Sequence, residues 1–138
     1  MSKTRFTYFC SILFIVLLGI ASREFSSIPL FVGDVLYAVM MYFIVRFLLP
    51  NKKSSSVFFI ALLLCFAIEL QQTLDFSWLV SIRKTVIGHY ALGEGFLWSD
   101  LFYYTLGVRM AAVTDVFMIN KIKHQFISSI SSNQDSDN

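Results

Sequence analysis

The chain has 138 residues, the size of one domain, with 57% apolar and 14% charged residues, 15 phenylalanines and a mean hydropathy of +0.68; soluble chains average roughly 45 to 50% apolar and roughly 25% charged. Eleven basic against nine acidic residues leave a net charge of +2, too little for a nucleic-acid-binding face. Cys10 and Cys65 each lie in an apolar run without a second thiol or histidine at ligand spacing, which gives neither a disulfide framework nor a zinc site, and the fold class expected is an all-α, polytopic membrane bundle of four helices.

The first apolar run, Phe6 to Ala21 (span 6–22), follows Lys3 and Arg5 and ends at Ser22-Arg23-Glu24. Its basic start and the small residues Gly19 and Ala21 also fit a cleaved signal peptide; its length and the spans that follow favour an uncleaved helix. The second run, Phe31 to Leu49, has the roughly 20 residues of a membrane span, with Pro29 before it and Pro50-Asn51-Lys52-Lys53 after it. The third, Val57 to Leu74, is apolar to Ile68 and carries Glu69, Gln71 and Gln72 on its last turns. A connection from Asp75 to Gly95 follows, with an interfacial helix expected over Phe76 to Ile87 and Trp78 at headgroup level. The fourth run, Phe96 to Val113, continues amphipathically to about Lys123. Residues 1–125 thus form the membrane domain, and 126–138, dominated by Ser, Asn, Asp and Gln, read as a disordered tail.

Basic residues set the expected orientation. With four spans, Lys3, Arg5, Arg46, Lys52, Lys53, Lys121 and Lys123 share one side, against Arg23, Arg83 and Lys84 on the other. Both termini are therefore expected in the cytoplasm, and the first and third connections outside.

That topology gathers the isolated polar residues at the outer face. Asp34 and Asp100 lie three and four residues into their spans, about 5 to 6 Å below the starting level at 1.5 Å per residue. Glu69 and Gln72 share one helical face, as do Asp100, Tyr104 and Gly107. Carboxylates in a membrane face the bundle interior rather than lipid, where Arg23 and Arg83 offer planar forks to pair with them. A purely structural set of ion pairs is the bland alternative. Arg46 and Arg109, near the inner helix ends, are expected to snorkel to the headgroups, and Tyr37, Tyr42 and Tyr103 to serve packing or the interface. The two glycines Gly88 and Gly93 have P-loop spacing, but Glu94 and Gly95 stand where Lys and Ser or Thr are required. His89 reads as a solvated loop residue.

Gly19 to Arg23, Gly33-Asp34, Glu69 to Gln72, Trp78 to Arg83 and Gly95 to Gly107 together resemble a bacterial family of small four-span membrane proteins classed as a domain of unknown function. The pattern is also similar to the wider VanZ-like group, mapping onto Glu69, Gln72, Arg83, Asp100 and Gly107; the chain departs from it at Tyr104, where asparagine is frequent. The resemblance covers residues 5 to 115 and implies a cell-envelope role in the bacterial inner membrane. The leading expectation is an outward-facing pocket that binds, or binds and modifies, a lipid headgroup or cell-envelope precursor. Arg23, Asp34, Glu69, Gln72, Arg83, Asp100 and Tyr104 would bind it, and Asp34, Glu69 and Asp100 are the candidate acid/base groups. No metal or cofactor is called for, the partners are the bilayer and such a ligand, and an oligomer is compatible. The rivals are a dimeric proton-coupled small transporter and a noncatalytic membrane accessory subunit.

Overall fold

A computed structural model describes residues 3–25, 28–93 and 95–136, with side chains at all of these except 3, 23, 90 and 122–136. Six helices make up the described chain: α1 (Lys3–Glu24), α2 (Phe31–Leu48), α3 (Ser54–Gln71), α4 (Ser77–Arg83), α5 (Val86–Leu92) and α6 (Trp98–Ser136). At 1.5 Å per residue, the 22 residues of α1 and the 18 of α2 and α3 reach about 27 to 33 Å, the thickness of a hydrocarbon core. Within them Thr4–Ser22, Phe31–Leu48 and Ser54–Gln71 are long and apolar enough to cross a membrane. Their outward side chains are large and apolar: Phe14, Leu17, Phe59 and Leu63 are all exposed, as are Phe102 and Phe117 on α6. A solvated surface of that kind would aggregate; in lipid it is the favourable one.

Helix ends follow local chemistry. Pro29 sits in a turn whose carbonyl receives Val32 N–H at 3.1 Å, so its missing donor costs nothing as α2 begins. The single interfacial helix expected over Phe76 to Ile87 is instead two short helices. Thr85 interrupts it with an extended backbone, and its hydroxyl accepts from Gly88 N–H at 3.0 Å, capping α5. Trp78 is well exposed on α4. Residues 126–136 of the expected tail lie on the continuing backbone of α6, because extending an existing helix needs one hydrogen bond per residue and no new nucleus.

α2 is the central helix, packing against α1, α3 and α6, while α6 also packs along α3. Tyr104 of α6 meets Glu69 near the end of α3, and Asp115 meets Ser54 at its start. α6 therefore runs antiparallel to α3 and parallel to α2, beside the whole length of both. Ala38, Val57, Ala61, Cys65, Val108 and Ala111 fill the space between. Small residues let the helices close up: a Cβ on Gly107 would lie 2.5 Å from Val35 O and 2.8 Å from Ala38 Cβ. Gly107→Ala must push α6 off α2, and an overpacked interface loses about 1 to 3 kcal/mol. The variant is expected to melt below wild type in detergent, whereas Thr105→Ala, exposed on the same helix, should melt with it.

Candidate functional site

The apolar core lies between two polar layers, one at the end carrying α4 and α5 and one at the far end. In the first, Glu69 is completely buried. Its carboxylate accepts from Leu97 N–H (2.8 Å), Tyr104 OH (3.1 Å) and Gln72 Nε2 (3.2 Å), so one side chain ties α3 to the start and second turn of α6. Glu69 and Gln72 thus meet as their three-residue spacing suggests, and Tyr104 of α6 joins them from the facing helix. Behind them opens a cavity of about 350 Å³, lined by Asp34, Tyr37, Gln72, His89, Asp100 and Tyr104 together with backbone of the α5–α6 loop. Asp100 accepts from the hydroxyl of its neighbour Ser99 at 3.1 Å.

α5 roofs this cavity through three contacts. Tyr37 OH donates to Ala91 O at 2.7 Å, and Gln71 Nε2 donates to Leu92 O at 3.1 Å. Gly93 follows with φ +70°, and a Cβ there would fall 2.5 Å from Gln72 Nε2. Only glycine satisfies both the left-handed backbone and that approach.

Arg83 departs from expectation. It is buried, but among the described residues it reaches no carboxylate: it donates to the carbonyls of Gln71, Gln72 (3.4 Å) and Leu74 (3.1 Å) and to Gln71 Oε1 (3.0 Å). The last carbonyls of α3 lack intrahelical donors and carry the negative end of its dipole, and they claim the guanidinium before any acid does. Nor is Arg83 among the residues that line the cavity. The side chain of Arg23, the other expected partner, lies outside those described.

The far layer was not anticipated. Arg46, expected to snorkel, is 1% exposed and forms an ion pair with fully buried Asp115. Its Nε donates to Asp115 Oδ2 at 2.8 Å, with a further bond from Nη2. Tyr42 OH (2.8 Å) and Ser54 Oγ (3.3 Å) share that oxygen, and Tyr8 OH donates to Oδ1 at 2.8 Å. The remaining arginine donors reach Lys52 O and Ser54 Oγ. One carboxylate thereby holds residues from α1, α2, α3 and α6. Two sequence signals pointed to it: Tyr42 and Arg46 are four apart and share a face, and Asp115 interrupts an apolar stretch.

The two layers differ in what they leave open. The far one is closed and its acid is saturated, so it is a structural clasp. At the other, Gln72 and Arg83 are buried, yet Gln72 Oε1 and Arg83 Nε have no hydrogen-bond partner among the described residues, and Gln72 lines the cavity. Among the described residues no three His, Cys, Asp or Glu side chains converge to hold a metal ion.

Removing one partner of a buried pair costs about 3 to 5 kcal/mol, because the other charge is stranded. Arg46→Ala is expected to fall by that amount in reversible unfolding, and the paired change Arg46→Met with Asp115→Leu to recover part of it. Arg83→Ala should lower the melting temperature less, and expose the α3–α4 junction to hydrogen exchange; Arg83→Lys should restore only part of that protection, since an ammonium cannot span four acceptors.

No solved structure matches the chain. Residues 24–108 match the model of a family described as a protein of unknown function, DUF2809. This stretch contains every cavity-lining residue named above and leaves Tyr8 and Asp115 outside. With more than half of its length matched, the chain belongs to the DUF2809 family.

Proposed function

We propose that this DUF2809 protein is a multi-pass protein of the bacterial inner membrane whose polar cavity opens on the outer face and binds the headgroup of a lipid or cell-envelope precursor. The observation that carries the reading is the cavity itself. It lies at one end of the long helices, and its wall holds two carboxylates and a buried amide oxygen that has no donor among the described residues. Buried polar groups are ordinarily satisfied, so an acceptor left over in an open cavity is a place for a ligand donor. The basic-residue distribution supports the outward orientation, with the termini cytoplasmic. The VanZ-like pattern Glu69, Gln72, Arg83, Asp100 and Gly107 supports an envelope role. Position at one end rather than at the midplane disfavours the transporter reading, since alternating access works around a central site.

Roles follow from placement. Asp100 and Asp34 stand in the cavity wall and are the groups that would touch ligand, as base or as ion partner. Glu69 lies behind the wall and positions Tyr104 and Gln72. Arg83 holds α4 onto α3 and shapes the rim.

Two measurements test the reading. In a Cys10→Ser background, cysteine at Ser81 should react with an impermeant maleimide on spheroplasts and cysteine at Ser55 should not; the reverse pattern turns the cavity to the cytoplasm. Gently extracted wild-type protein should carry a defined lipid or precursor detectable by mass spectrometry, and Asp100→Asn should lose it at unchanged melting temperature. If that variant retains the same molecule, the cavity is not the binding site.

A further inference from the structure

A second, larger cavity adjoins the first. It is a groove of about 490 Å³ between α1 and α2, lined by Ile15, Val16, Gly19, Leu36, Met40 and neighbouring apolar side chains, with Val86 and Ile87 of α5 across one end. Its volume is in the range of ligand pockets. Tyr37 and Ala91 line both the groove and the polar cavity, and they are the two residues joined by the Tyr37 OH to Ala91 O hydrogen bond. The apolar groove and the polar cavity are therefore the two sides of one partition, the Tyr37 side chain and an α5 carbonyl thick.

The polar side has a definite hydrogen-bonding character. A tyrosine hydroxyl has one proton to donate; Tyr37 gives its own to Ala91 O and Tyr104 gives its own to Glu69. What these hydroxyls present to a ligand is lone pairs. The Gln72 amide is oriented by Glu69, which takes its NH2 side and leaves Oε1 as an acceptor without a donor among the described residues. Asp100 accepts from Ser99 alone among the described residues. Four neighbouring groups thus ask for protons, and one of them is a carboxylate in a setting where an unpaired charge is costly. A ligand that supplies N–H donors and positive charge together meets all of these demands.

We propose that the groove and the cavity are one site for a membrane amphiphile with a primary-amine headgroup: its ammonium lies among Asp100, Gln72 Oε1 and the two tyrosine oxygens, and an acyl chain lies in the α1–α2 groove past Tyr37. This rests on the reading of the polar cavity as a ligand site and assigns that site a chemical class. It separates two headgroup features that are usually confounded. A quaternary ammonium has the charge without N–H donors, and a glycerol headgroup has donors without the charge; both should be poor occupants.

The test uses the full chain in phosphatidylcholine nanodiscs carrying equal minor fractions of phosphatidylethanolamine and phosphatidylglycerol, with the lipid retained after the disc is stripped identified by mass spectrometry. Phosphatidylethanolamine should be enriched about tenfold over both others, the equivalent of one net charge-assisted hydrogen bond. Asp100→Asn should abolish that enrichment. Gly19→Phe, whose Cβ would meet nothing within 4 Å, should place its ring in the groove and remove lipid retention of every kind, and Ile20→Trp on the same wall provides an independent block. Equal retention of phosphatidylcholine and phosphatidylethanolamine by wild type would overturn the amine assignment. Enrichment that is lost in Asp100→Asn but survives both groove blocks would overturn the chain placement while leaving the polar cavity as a headgroup site. If neither the lipids nor soluble phosphoethanolamine bind, the ligand-site reading falls as well.

Discussion

A carboxylate removed from water and lipid headgroups alike must find its compensation within the protein, and in this chain Asp115 finds it in Arg46, Tyr8, Tyr42 and Ser54. Desolvation makes such a pair worth little as net stabilisation, because the cost of burying two charges offsets most of their attraction. Its value lies in what it forbids. Any sliding of α6 along α2 or α3, or loss of α1, strands an ionised group in a medium that penalises it by several kcal/mol. Helix association in a membrane lacks the hydrophobic driving force available in water, so a single saturated acceptor shared by four helices fixes a register that apolar contacts alone leave loose.

With the far end clasped, the other end can remain open. Asp115 and Tyr104 are 11 positions apart on α6, about 16 Å of helix, and the stretch is packed through small residues and pinched at Gly107. That stretch transmits the register from the clasp to Glu69. There the acid is again fully buried, but its three donors are neutral and two of them, Tyr104 and Gln72, also face the cavity. Glu69 is thus to the site what Asp115 is to the fold: it spends the protons of its neighbours and leaves acceptors behind. The acceptors that Tyr104 and Gln72 turn toward the cavity are the consequence of a buried carboxylate next to them.

Much of this was legible in the sequence, and the misses have physical causes. Helical spacing placed Glu69 with Gln72, and Asp100 with Tyr104, because three- and four-residue separations fix a face whatever the tertiary context. The three long helices α1 to α3 followed from apolar run lengths, whereas α6 begins near the fourth run but continues to Ser136, well past the end that its apolar residues suggested. Arg83 was misassigned because charge complementarity was weighed against carboxylates alone, while the orphan carbonyls at the end of α3 are equally strong competitors for a guanidinium and lie closer along the chain. Arg46 was misassigned for the converse reason: an arginine near a helix end snorkels by default, and only the pairing of α2 with α6 reveals the acid that holds it inside. The break at Thr85 is a local cap, visible once Thr85 and Gly88 are read together.

The position of α1 bears on the site most directly. It packs on α2 and is tied to α6 through Tyr8, at the far end from the cavity. Towards the loop-bearing end its wall becomes the groove, where Gly19 leaves open space instead of a knob. The groove between α1 and α2 is lined by apolar side chains of both helices, a surface suited to a lipid chain. The partition at Tyr37 stands where that groove meets the polar cavity. In the proposed binding mode an amphiphile from the bilayer would meet apolar surface first and acceptors second, the order in which its own chain and headgroup can be accommodated without exposing either to the wrong medium.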